Sequence, residues 1–473
     1  MRRASRSRPG WSHTRDVSDS AVAERSFDVV VIGAGPAGEV VAGRLGEADV
    51  DVALVEQHLV GGECSYYACM PSKSLLRPGE LLAEVGRVPG LKAEGLDAAA
   101  VLARRDEVIH DRDDASQLPW LEQRGVTLVR GHGRLDGERR VRVDEDVLVA
   151  RQAVVVATGS GPAMPPIPGL ADASPWGNRE ATTAKEAPES LVILGGGVVG
   201  VELAQAWSSL GTRVVLLEGA PRVIVREEPF ASAEVGAALV EAGVEVRTES
   251  RAVAVSRDGD GVVVELEGGP SARGAELLVA VGRSVNTNEL GLETVGLEPG
   301  KPIEVGSNLR SPRHDWLYAI GDANGRALLT HMGKYQGRLA ADAILGKNAT
   351  IVSDGPLSPR VIFTDPQVAA VGHTLSSAEA AGMVVRAVDV ETSGTAGASF
   401  VGRNTPGTSR LVIDQVNGVV AGATFVGFEV GEMLHAATIA VIGEVPLERL
   451  AHAVPTFPTR SELWLQLLEA AGL

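Results

Sequence analysis

Cysteine is nearly absent from this chain: 473 residues hold two, Cys64 and Cys69. So few exclude a disulfide-stapled scaffold and a cysteine-rich zinc module. No run of about 18 apolar residues occurs, so no segment reads as a membrane-spanning helix. Aromatic residues make up only 4 %, and the apolar mass is Ala, Val and Leu. Positive charge is also short, with 44 Lys and Arg against 61 Asp and Glu and a formal net charge of −17. That balance argues against nucleic acid and anionic membrane surfaces as partners. Glycine, by contrast, is plentiful at 56, which suits many tight strand-to-helix turns. A chain this long needs two to four hydrophobic cores.

Residues 1–26 stand apart. MRRASRSRPGWSHTR is basic and free of acids until Asp16, and no apolar stretch follows Arg2 and Arg3. An export signal is therefore not supported. The segment reads as a disordered basic tail, with the fold starting at Phe27, and the protein reads as cytoplasmic.

Both cysteines fall in GGECSYYACMPSK, residues 61–73. Random placement would bring two cysteines so close in roughly 2 % of chains of this length. A zinc site lacks its further ligands. What remains is a redox pair cycling between dithiol and disulfide, or two small buried hydrophobes that happen to be neighbours. Gly61 and Gly62 suit a turn into a helix, whose N-terminus would stabilise a thiolate at Cys64 or Cys69. Pro71 is expected to limit the regular run of that helix.

Phe27–Ile32 is an apolar run of strand length. It enters Gly33-Ala-Gly35-Pro-Ala-Gly38, a helical pattern, a second apolar run and then Glu56. This is a dinucleotide fingerprint in its proper context. Gly33 allows the turn, Gly35 lets the backbone approach a pyrophosphate, and Gly38 lets helix and strand pack. Glu56 is placed to accept from a ribose diol. The design returns at Leu191–Leu194, Gly195-Gly-Gly197-Val-Val-Gly200, Val214–Leu217 and Glu218. In both copies the acid follows the third glycine by 18 residues, which implies two nucleotide sites. Glu218 favours NAD, because a 2′-phosphate would meet like charge; with Arg222 nearby, NADP is disfavoured. AVVVATGS (residues 153–160) and LLVAVGRS (277–284) each read as a strand ending in a glycine turn, and WLYAIGD ends in Asp322. From Leu357 onward, antiparallel strand patterns and two helical patterns suggest a separate C-terminal domain without a nucleotide motif.

These residues resemble the pyridine nucleotide-disulfide oxidoreductases of the dihydrolipoamide dehydrogenase, glutathione reductase and mercuric reductase type. GGECSYYACMPSK is the most specific match, and VVVATGS, GGGVVGVELA, LLVAVGRSVNT, YAIGDA and FTDPQVAAVG follow in family order. The resemblance implies an α/β fold of two Rossmann-like domains, for FAD and NAD(P)H, with an α+β C-terminal dimerisation domain. It divides the chain at 27–165 (FAD), 166–286 (NAD(P)H), 287–353 (central) and 354–473 (dimerisation). It implies a homodimer in which the C-terminus of one subunit completes the active site of the other. FAD would be held by Gly33, Gly35, Gly38, Glu56, Gly133, Thr158, Gly159 and Asp322, with Lys73 near the flavin N5 and paired with Glu202. Cys69 would be the flavin-side thiol, in charge transfer with the isoalloxazine, and Cys64 the interchange thiol that meets substrate. NAD would use Gly195, Gly197, Gly200, Glu218 and Gly282.

One position departs from the family. Disulfide reductases of this type end in His-Pro-Thr-x-x-Glu, the His being the acid-base group for the interchange thiol. Here the stretch is Phe457-Pro-Thr-Arg-Ser-Glu462. The Glu is kept, but phenylalanine carries no proton, a loss of about 10²- to 10⁴-fold for a positioned acid-base group. His452 lies five residues earlier and is the nearest replacement. Mercuric reductases also lack this His, but use a Tyr and add a cysteine pair for metal that is missing here. A reductive carboxylase of the same family places Phe there, but has a His where Glu462 stands. The expectation is therefore an FAD-dependent NADH oxidoreductase with a redox-active disulfide and a small-molecule electron acceptor: a quinone, a metal ion or a specialised molecule. The alternatives are a dihydrolipoamide dehydrogenase, a mercuric reductase-like enzyme and, more remotely, a non-catalytic flavoprotein redox sensor.

Overall fold

Fully buried apolar runs such as Val52–Glu56 and Ser190–Leu194 form inner strands of two mainly parallel sheets, as strands covered on both faces require. The computed structural model describes residues 24–259 and 261–473. The expected basic tail lies, for residues 1–23, outside the described residues. The first strand, Glu24–Ile32, starts three residues before Phe27, because Glu24–Ser26 pair with Val147–Val149. This strand is central in a sheet ordered Thr127–Arg130, Val52–Glu56, Glu24–Ile32 and Asp146–Val156, all parallel. Asp146–Val156 is one 11-residue strand. Its first half pairs antiparallel with Arg140–Val143 and its second half carries the VVV run into the glycine turn. Two stretches that read separately in the sequence are therefore continuous. Leu317–Ala319 adds to the other side of the same strand, in parallel, so WLYAIGD ends beside AVVVATGS.

The second nucleotide fold is a four-stranded parallel sheet, Glu245–Arg247, Arg213–Leu217, Ser190–Leu194 and Glu276–Val279. Its helix Val198–Ser209 buries Trp207 completely. Ser160–Pro162 and Arg283–Val285 form an antiparallel ribbon that ties the two folds together. The C-terminal part is a five-stranded antiparallel sheet with helices Leu434–Ile442 and Leu463–Ala470 packed on its core. Among the described residues no helix is long and apolar enough to cross a membrane.

The cysteine segment forms two helices where one was expected. Gly61 (φ 109°) and Gly62 (φ 61°) make the turn, and a short helix spans Gly62–Tyr66. A second helix then runs for 19 residues, Cys69–Arg87. The helix entered at Gly61 and Gly62 thus ends at Tyr66, short of Pro71, as expected, whereas the second helix is not limited by Pro71, which falls in its first turn, where a missing N–H costs no intrahelical bond. The helix also continues through Pro78.

Candidate active site

The first glycine turn is built by close approach. A Cβ on Gly33 would lie 2.4 Å from the carbonyl oxygen of Ala157, and one on Gly38 would lie 1.9 Å from that of Gly33. The turn delivers the uncapped N-terminus of helix Pro36–Glu47 to one wall of a cleft of about 660 Å³. The same cleft is lined by Gly35, Glu56, Gly133, Thr158, Gly159, Asp322, Cys64, Cys69, Lys73 and Glu202. Residues nearly 300 positions apart in the chain thus share one cavity.

Glu56 accepts from the backbone N–H groups of Ala34 and His58, both at 2.7 Å. The carboxylate is first a clamp on its own loop, a role the ribose expectation did not include. Glu218 does the same in the second fold, accepting from Gly196 at 2.5 Å and Ala220 at 2.7 Å. Gly195 (φ 106°) and Gly200 repeat the close approaches of Gly33 and Gly38, and a Cβ on Gly197 would meet open space. Gly282 takes φ 147° at the end of the fourth strand.

Cys69 occupies the first turn of the long helix, and its Sγ lies 3.3 Å from Thr330 Oγ1. Its pKa is lowered to about 6, chiefly by a hydrogen bond from the Cys64 thiol, with help from Thr330 and the charge of Lys73 and against the cost of burial. The Cys64 thiol is pushed strongly up, first by its bond to Cys69 and then by burial. The two thiols titrate as a pair, with the contacts of Thr330 and Lys73 favouring the thiolate on Cys69. One helical turn on, Lys73 Nζ meets Glu202 Oε2 at 2.6 Å and sits 4.7 Å from the Phe363 ring centroid. Glu202 is 4 % exposed, and its second oxygen accepts from the Phe363 N–H at 2.9 Å. A buried carboxylate of this kind needs its cation.

Asp322 accepts from Ser160 Oγ at 2.5 Å, and Arg283 donates to Ser160 Oγ and to its carbonyl, both at 2.6 Å. Ser160, Arg283 and Thr330 were missed in the sequence. The first two lie within motifs already singled out there, whereas nothing local marks Thr330. Within the chain, the cleft is lined by none of Phe457, Glu462 and His452. Phe457 is 73 % exposed, His452 is exposed, and Glu462 accepts from the Gly397 N–H at 3.4 Å.

The family model for pyridine nucleotide-disulphide oxidoreductases matches residues 27–337, and that for their dimerisation domain matches residues 358–468. The chain belongs to the pyridine nucleotide-disulphide oxidoreductases. It is 29 % identical over 468 residues to a mercuric reductase of Staphylococcus aureus, covering 96 % of this chain and 84 % of the relative. It is 32 % identical over 458 residues to a dihydrolipoyl dehydrogenase of Thermus scotoductus, covering 94 % and 97 %. LpdA from Mycobacterium tuberculosis superposes with a TM-score of 0.84 at 26 % identity, over 95 % of this chain and 100 % of that one. The HOCl-induced flavoprotein disulfide reductase RclA from Escherichia coli gives 0.83 at 24 % over 94 % and 99 %, a likeness of fold. The family's members are FAD-dependent enzymes that use NAD(P)H, and the dimerisation domain supports a homodimer.

The cleft fits FAD on its own observations. Thr158 Oγ1 is buried without a partner. Gly159 (φ 71°) faces open space where a Cβ would intrude. The helix at Gly35 presents free N–H groups suited to a pyrophosphate.

Proposed function

We propose that this chain uses NADH to reduce its Cys64–Cys69 disulfide, and that the resulting dithiol reduces a small-molecule acceptor other than an ordinary disulfide. The observation that carries the first half is the single cleft shared by the cysteine pair, the Lys73–Glu202 pair and the first glycine turn. Gly33, Gly35, Gly38, Glu56, Gly133, Thr158, Gly159 and Asp322 would hold FAD, and Gly195, Gly197, Gly200, Glu218 and Gly282 the nicotinamide nucleotide. Bound FAD supplies the hydride acceptor for the nicotinamide and the two-electron donor for the disulfide. Lys73, paired with Glu202, puts an ammonium group in the lining of the cleft. Cys69 holds the thiolate, and Cys64 holds the proton and would face the acceptor. NAD is preferred because the Glu218 carboxylate would repel a 2′-phosphate, while Arg222 Nη2 is engaged by the carbonyls of Val225 and Glu227.

The second half rests on Phe457. A family disulfide exchange uses an acid-base group at this position, and a benzyl side chain supplies none. Quinones, metal ions and specialised small molecules take electrons without that group. Dihydrolipoyl dehydrogenase is the competing reading, supported by full-length relatives of that name. Mercuric reductases are relatives too, but the sequence holds only its two cysteines. A chain with only two cysteines also suits a reducing, cytoplasmic setting. The test is anaerobic: one equivalent of NADH is added to the flavin-loaded dimer, the long-wavelength thiolate-to-flavin absorbance is recorded, and lipoamide or a quinone is mixed in. Reoxidation by quinone with slow lipoamide turnover is expected. Rapid reoxidation by lipoamide overturns the acceptor assignment. Phe457→His is expected to raise lipoamide turnover at least tenfold.

A further inference from the structure

Five residues along an unbroken α-helix turn the chain through about 500°, which sets positions 64 and 69 roughly 140° apart around the axis. The helix is instead broken at Tyr67 and Ala68, both outside helical conformation, and across this break the two thiols interact. Pro71 has no N–H, so the Tyr67 carbonyl four residues earlier has no helical partner. The second nucleotide fold supplies one. Asn178 Nδ2 donates to Tyr67 O at 2.8 Å, and Thr182 Oγ1 at 3.0 Å. The two side chains are 6 % and 1 % exposed.

The same helix, Asn178–Thr183, grips the residue next to Cys64. Arg179 Nε and Nη2 reach Glu63 Oε2 at 2.9 and 2.7 Å, and Asn178 Nδ2 reaches Glu63 Oε1 at 2.7 Å. The Arg179 guanidinium also lies 4.7 Å from the Tyr67 ring centroid. Both Nδ2 hydrogens point to acceptors, which fixes the orientation of the amide. The helix is itself pinned at its far end by Arg105, fully buried, which donates to the carbonyls of Thr182 and Ala184.

We infer that Asn178, Arg179 and Thr182 are positioning residues for the disulfide: they hold the break between the two cysteines by taking the carbonyl that Pro71 leaves free and the carboxylate beside Cys64. This rests on the redox reading of the pair. A held break keeps each thiol next to the other and so favours the disulfide over two separate thiols. It also ties the geometry of the pair to the fold that would carry the nicotinamide nucleotide.

The test is the equilibrium of Cys64–Cys69 with glutathione in the flavin-loaded, full-length protein. One disulfide and two glutathione thiols exchange for a protein dithiol and one glutathione disulfide, and free thiols are trapped by alkylation and counted by mass spectrometry. Asn178→Ala with Thr182→Val is expected to shift the equilibrium tenfold or more toward the dithiol, with melting temperature and flavin absorbance as controls for folding. Arg179→Gln is expected to shift it severalfold, and Arg179→Lys to recover most of that. Arg179 is 44 % exposed, so its variants test the idea even where the buried pair does not fold. Values within twofold of wild type in all variants overturn the positioning role alone. A wild-type pair that never oxidises reversibly overturns the redox reading and this inference with it.

Discussion

The two nucleotide folds are the same device used with different surroundings. In each, a glycine at positive φ abuts the carbonyl of the neighbouring strand, a third glycine abuts the first, and a glutamate clamps the loop through two backbone N–H groups. They diverge just beyond that frame. After Glu56 the chain turns at Gly61 and Gly62, so close to the first turn that a Cβ on Gly62 would lie 2.7 Å from the Cα of Gly35. The redox helix is thereby seated against the nucleotide turn. After Glu218 the loop leads instead to Val223 and Ile224, buried side chains in the core of its own fold. The position after the third glycine also differs: Glu39 in the first copy, and Val201, 0 % exposed, in the second. Identical backbone geometry therefore does not make identical chemistry, because what packs on the turn decides what a bound dinucleotide meets.

The largest expected effect breaks the copies one at a time. In each, a Cβ on the third glycine would lie 1.9 Å from a backbone oxygen that cannot yield, a clash of the class that costs more than about 4 kcal/mol. Gly38→Ala should purify without flavin colour and with a sharply lowered melting temperature. Gly200→Ala should keep its colour and lose NADH-driven reduction by about a hundredfold, read by anaerobic absorbance. Equal loss of colour in both would mean that the folds are not separable.

An intermediate effect sharpens the difference in charge. With a pKa of about 6, Cys69 of the reduced protein is thiolate above that pH and protonated below it. Its alkylation at pH 7 should exceed that of an ordinary cysteine by about tenfold, fall as pH drops through 6, and stay level from 7 to 8. Cys64, whose thiol is pushed up, should react slowly throughout. A midpoint near 8.5 for Cys69 would contradict the shared-charge description.

The smallest effect concerns Glu39. Its carboxyl is raised from 4.5 to about 7, chiefly by burial, with Lys334 opposing and Glu56 adding to the rise. The folded state thus holds this proton more tightly than the unfolded state does. The burial cost is absent below pH 4.5, grows between 4.5 and 7, and is complete above 7. Glu39→Gln should therefore stabilise by up to about 3 kcal/mol at pH 8 and leave stability unchanged at pH 4, measured by denaturant unfolding.

Much of this was legible because the signals are local. Glycine spacing, the acid 18 residues on and the close cysteines each sit within one short stretch. Strand boundaries were less legible where apolar and alternating patterns adjoin, as in Asp146–Val156, whose two halves pair on different terms. The second helix was not legible, because Pro71 reads as an end to the helix entered at Gly62 and not as part of the first turn of a new one at Cys69–Arg87. The partners of the redox segment were not legible at all. Glu63 and Asn178 are 115 residues apart, and nothing in either neighbourhood announces the other.

By itself, the sequence determined the two dinucleotide turns, the redox pair and the absence of a histidine at Phe457, because these depend on residue type and spacing. Only the tertiary structure decided what stands beside each thiol, which backbone N–H groups each glutamate clamps and what holds the break between the cysteines. Those properties depend on burial and on how the chain folds back on itself, over separations such as 22 residues between Ala34 and Glu56 and 261 between Cys69 and Thr330, and local spacing carries no record of them.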